Sequence, residues 1–99
     1  MVRLLKVTGS SLLPVYRDGD FVVVSKIPYL FGKIKRGDIV AFRQTEYGTM
    51  IKKVQRVAPT GVEIHVIGTQ ENSIDSRHFG PITKGDVLGK VVWHIRKPM

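Results

Sequence analysis

Residues Met50–Val57 read "MIKKVQRV", a short run with Val and Ile, bounded by turn residues, that reads as a β-strand rather than a helix. In a strand, successive side chains point to opposite faces, so Lys52 shares a face with Met50 and Val54, while Lys53 shares the other with Ile51 and Gln55. Five further segments have the same short, Val- and Ile-rich character: "RLLKV" (Arg3–Val7), "FVVVS" (Phe21–Ser25), "DIVAF" (Asp38–Phe42), "VEIHVIG" (Val62–Gly68) and "LGKVVWHI" (Leu88–Ile95). No window places apolar residues at helical spacing for three turns. The breakers "RDGD", "KRGD", "APTG" and "TKGD" stand between these runs as turns. The pattern predicts a mostly antiparallel β domain, folded as a small barrel or sandwich. One long loop, "KIPYLFGKIKRG", joins the second and third strands.

At 99 residues the chain has room for one core, hence one domain spanning 1–99. A hydrophobic content of 42% is that of a folded chain. Sixteen Lys and Arg against eight Asp and Glu give a net charge of +8, which favours anionic partners, either nucleic acid or a membrane surface. The absence of cysteine excludes disulfides and thiolate metal sites. The longest apolar runs, "FVVV" and "IPYLF", fall far short of the ~20 residues that span a bilayer. The chain reads as soluble. Taken as a full-length protein it is expected in the cytoplasm; taken as a domain cut from an anchored protein, on the extracytoplasmic face of a membrane.

Three segments carry candidate chemistry. "GSSLLP", Gly9 to Pro14, sets two serines between a glycine and a proline. A serine hydroxyl is a poor nucleophile until a base takes its proton, and the local pattern alone describes an ordinary loop serine. The base would come from elsewhere. The histidines, His65, His78 and His94, have no spacing that suggests a metal site, and His65 and His94 fall in strands as packed or rim residues. A lysine serves if burial lowers its pKa towards neutrality. Of the two adjacent lysines, only Lys52 has an apolar neighbour on each side along its face. Periodicity by itself equally describes a lysine whose stem is buried and whose ammonium reaches water. The third segment, "GTQENSIDSRHFGPI" (Gly68–Ile82), crowds Asn72, Ser73, Asp75, Ser76 and Arg77 into one loop, where Asp75 and Arg77 can pair.

Taken in order, these segments resemble the signal peptidase I family of Ser/Lys serine peptidases. "GSSLLP" is similar to the family's Gly-x-Ser-Met-x-Pro box, "RGDIVAF" to its Gly-Asp-Ile-Val strand, "IKKV" to the strand bearing its catalytic lysine, and "GTQENSIDSRHFG" to its closing Asn-Ser-x-Asp-Ser-Arg-x-x-Gly box. The resemblance runs from about Thr8 to Trp93. It implies Ser11 as nucleophile, Lys52 as general base, Ser73 as the hydroxyl that orients the lysine, and Asp75 and Arg77 as holders of the loop. With Gly9 preceding the serines, oxyanion stabilisation falls chiefly to the Ser11 N–H. Leu12 stands where the family has Met, and Thr69-Gln70 where it has Asp-Asn.

The family implies no metal and no cofactor. It implies a protein precursor whose N-terminal signal or pro-peptide, with small residues near the cut, docks as an added strand. Compact relatives mature nickel-type superoxide dismutase by removing its N-terminal extension. Two rivals differ in class. An autocleaving repressor's peptidase domain shares the chemistry, but this chain shows neither a DNA-reading helix nor an Ala-Gly cleavage dipeptide. A basic β-barrel binding nucleic acid without catalysis would interleave its aromatics with basic residues along a strand, and this chain does not; no nucleic-acid partner is expected. Within the long loop, Ile27 to Gly37 joins apolar residues to Lys33, Lys35 and Arg36, and is read either as the end of the core or as a weak membrane-surface contact.

Overall fold

The computed structural model describes residues 2–7, 18–68 and 74–96. They form seven strands: β1 (Val2–Lys6), β2 (Phe21–Ser25), β3 (Ile39–Gln44), β4 (Gly48–Val57), β5 (Glu63–Ile67), β6 (Ile82–Thr83) and β7 (Val87–Ile95). A five-residue helix α1 (Ile27–Phe31) lies between β2 and β3, a four-residue helix α2 (Ser76–Phe79) between β5 and β6, and a 3-10 turn over Lys84–Asp86 leads into β7. All six Val- and Ile-rich segments are strands. The mostly antiparallel β reading therefore holds.

The strands join in one sheet with the order β1-β2-β7-β3-β4-β5-β6, every pairing antiparallel. Strands adjacent in sequence pair, except β2 with β3 and β6 with β7, because β7 inserts between β2 and β3. Among the described residues β1 and β6 stay unpaired with each other, so the sheet is open rather than closed as a barrel. The burial pattern explains why. β3 lies in the middle of the order and buries both faces: Val40 and Phe42 enter a cluster with Ile34, Val54, Ile64, Val66, Ile82 and Val87, while Ala41 enters a second one with Val7, Val22 and Val24. Apolar groups gathered on both sides of one sheet are covered without closing it round a single interior.

Two glycines set the geometry around the middle strands. Gly37 has φ +93° in the "KRGD" turn, and its N–H donates to the Val54 carbonyl while the Val54 N–H donates to Asp38, locking the start of β3 to β4. Gly89 lies where β7 crosses β2: a Cβ there would come within 2.8 Å of the Ser25 carbonyl carbon and oxygen and of Val24. The β2–β7 register slips beside this contact, between Val23 and Val24.

A candidate active site on the central strands

Lys52 is only 3% exposed. The β3–β4 register places it directly opposite Val40, and alternation puts it between Met50 and Val54 on the face of the larger core cluster. Lys53 points the other way and is exposed. Burial lowers the Lys52 pKa from its ordinary 10.5; the negative charge of Asp75 opposes that shift and the positive charge of Arg77 adds to it. Among the described residues no carboxylate lies within ion-pair distance of its Nζ.

The same register brings the third segment to the lysine. Lys53 pairs with Ile67 across β4 and β5, so Lys52 is level with Gly68 at the end of β5. The Gly68 N–H donates to Asp75 Oδ2 at 3.0 Å. Asp75 is fully buried and saturates both carboxylate oxygens. Its Oδ1 accepts from the Arg77 backbone N–H at 3.0 Å and from Arg77 Nε at 2.9 Å, and its Oδ2 also accepts from Arg77 Nη2 at 2.8 Å. The Arg77 fork thus grips the carboxylate with two parallel bonds. Burial on its own would raise the Asp75 pKa, but the Arg77 side chain and the Gly68 and Arg77 N–H groups outweigh it and bring it down to about 2.

Asp75 also caps α2, whose second anchor is Ser76: its Oγ accepts the Val66 N–H at 2.8 Å. Phe79, on the same helix, packs its ring 6.0 Å from that of Phe42. Asp75 and α2 are therefore stapled to β5 at Val66, to Gly68 just after it, and to the core at Phe42. The sequence motif pointed to Asp75 and Arg77; it gave no role to Ser76 or to the Gly68 N–H. Ser76 could have been picked out, since it is the first residue of a helix capped by Asp75. Gly9, Ser11 and Ser73 lie outside the described residues. His94, read as a packed strand residue, makes a 2.7 Å contact from Nε2 to Asp20 Oδ2.

The sequence model of the family described as signal peptidase, peptidase S26, matches residues 1–66. The chain belongs to this family. The matched stretch contains Ser11 and Lys52, and ends before the Asp75–Arg77 loop. Signal peptidase I of Bacillus caldolyticus is 27% identical over 99 residues, an alignment covering 85% of this chain and 54% of that protein. The mitochondrial ATP-independent inner membrane protease subunit 1b of Arabidopsis thaliana is 30% identical over 112 residues, covering 88% of this chain and 66% of that one. The chain thus spans between about half and two thirds of the length of these relatives.

Proposed function

We propose that the chain is a serine endopeptidase that removes an N-terminal signal or pro-peptide from a protein precursor, with Ser11 and Lys52 as its dyad. The observation that carries this reading is the burial of Lys52. A lysine ammonium held on an apolar strand face loses hydration, so its pKa falls and its neutral form becomes easier to reach, which suits it to act as a base. Family membership and the "GSSLLP" segment support Ser11 as the nucleophile.

In the proposed reaction the Ser11 Oγ attacks the scissile carbonyl carbon while neutral Lys52 takes its proton. The tetrahedral oxyanion is held chiefly by the Ser11 N–H, since Gly9 has no hydroxyl to offer. Lysine returns the proton to the departing amine, the C–N bond breaks, and an acyl ester remains on Ser11. Water then attacks the ester as Lys52 again takes a proton, releasing the new carboxyl terminus and restoring the serine. Ser73 orients the lysine. The Asp75–Arg77 pair holds the loop that carries Ser73 and sets the charge around Lys52. A nickel-type superoxide dismutase precursor is the specific substrate we put forward, by analogy with compact members of the family.

The test is cleavage of a precursor peptide. Ser11→Ala and Lys52→Ala each abolish it with the fold intact, whereas Ser10→Ala and Lys53→Ala keep most of it. Because only neutral Lys52 accepts the proton, kcat/KM rises with pH between 6 and 9. A dead Ser10→Ala beside an active Ser11→Ala, or a falling rate over that range in folded protein, would sink the dyad.

A further inference from the structure

Two polar side chains on β2 and β7 have no part in the reaction proposed above. Asp20 is only 3% exposed, and His94 Nε2 stands 2.7 Å from its Oδ2. In the β2–β7 register His94 is directly opposite Val22, and Asp20 lies two residues before Val22, so the two side chains share the Val22 face and meet diagonally. That face is packed: Val22 joins Val7, Val24 and Ala41 in the second core cluster. A carboxylate offers only acceptors, so His94 Nε2 carries the hydrogen, in the neutral ring as in the cation. Burying such a pair is costly, and two apolar residues of similar volume would hold the face about as well. What they would lack is direction, because a hydrogen bond fixes where Asp20 sits against β7.

Asp20 stands where the chain returns from Ser11. The Gly19 N–H donates to the Val7 carbonyl at 2.8 Å and the Val7 N–H to the Asp20 carbonyl at 2.7 Å, so the flanks of the stretch 8–18, which holds Ser11, are joined at one point. Gly19 makes this turn with φ +92°. The backbone bonds tie the point to β1, and His94 ties it to β7. Further back along β7, Lys90 pairs with Val40, and Val40 pairs with Lys52 across β3 and β4. One strand thus carries both the clamp at the root of the Ser11 stretch and the register that leads to the lysine.

We propose that His94 and Asp20 are positioning residues, whose hydrogen bond sets the root of the stretch bearing Ser11 against β7 and so fixes the approach of the serine to Lys52. The catalytic consequence rests on the proposed dyad; the clamp itself does not.

The experiment compares wild type with His94→Ala, His94→Gln and an Asp20→Val, His94→Leu double variant. The double variant leaves no buried charge unpaired, and so keeps the test open if His94→Ala does not fold. Amide exchange followed by NMR reads the clamp without any activity. In the Ala and double variants the Val7 and Gly19 amides exchange at least about tenfold faster relative to those of Gly37 and Val54, which report opening of the middle strands. On the precursor peptide, kcat falls about tenfold to a hundredfold with KM near wild type. The acid limb of kcat/KM stays in place, since the surroundings of Lys52 are untouched. His94→Gln, which keeps an N–H in reach of Asp20, restores both readouts. Unchanged exchange at Val7 and Gly19, a wild-type kcat in the folded double variant, or a shifted acid limb would overturn the proposal. Wild type that cleaves nothing, with the amides responding as expected, would mark a failure of the dyad rather than of the clamp.

Discussion

Replacing Asp75 by Asn changes one oxygen to nitrogen in a carboxylate that faces four donors. Whichever way the amide turns, its NH2 meets two of them: Gly68 N–H and Arg77 Nη2 on one side, or Arg77 N–H and Nε on the other. Asp75 is fully buried, so water cannot replace the lost acceptor for the backbone N–H groups, although the half-exposed Arg77 side chain can turn to solvent. Leaving buried donors unpaired costs about 1–3 kcal/mol each, and loss of the charge removes the attraction to Arg77. The expected loss at pH 7 is about 3 kcal/mol, a fall in Tm of about 12–24 °C for a domain of this size. A pH series isolates the charge. At 1.36 kcal/mol per pKa unit, a carboxyl lowered from 3.8 to about 2 corresponds to about 2 kcal/mol at most. Arg77 is half exposed and its contribution is screened, which leaves between about 1 and 2 kcal/mol. Because the folded-state pKa is the lower one, this stability is present above the unfolded value and is lost as pH falls from about 5 to below 2. Urea denaturation of both proteins between pH 7 and pH 2 measures it: the wild type loses that increment and Asp75→Asn does not. Parallel curves would refute the assignment. The same substitution takes a negative charge from Lys52, so the acid limb of kcat/KM moves to lower pH, whereas Arg77→Gln moves it to higher pH.

Lys52→Met removes a buried ammonium while keeping the stem, so it inactivates the protein yet stabilises it on the order of 1 kcal/mol at pH 7. That gain shrinks as pH climbs towards and past 10.5, well above which the wild-type lysine is neutral in both states; a less stable Met variant at pH 7 would contradict the burial argument. Gly89→Ala forces a methyl against the Ser25 carbonyl and costs about 2–3 kcal/mol, read as a lower urea midpoint at unchanged m-value. An unchanged midpoint would mean that the β2–β7 crossing is looser than it stands in the structure.

Short Val- and Ile-rich runs between turn residues, being local, made six of the strands legible, and strand alternation separated Lys52 from Lys53 before any pairing was known. The Asp75–Arg77 pair was legible for the same reason, since two residues of spacing is enough for the side chain of one to meet the other. Strand order was not: placing β7 between β2 and β3 depends on contacts between residues some fifty to seventy positions apart, whose closure no local pattern encodes. The two-residue β6 and the one-turn helices α1 and α2 are too short to carry a period. Alternation likewise named the face on which Lys52 lies, but its burial came from what the sheet laid over that face. The Gly68 bond to Asp75 arose from the β4–β5 register, and the division of Ile27–Gly37 into an inward Tyr29 and an outward Phe31 from where α1 met Asp38. A side chain's direction along a strand is a property of the backbone; its surroundings, and so its pKa, belong to the neighbours that only folding supplies.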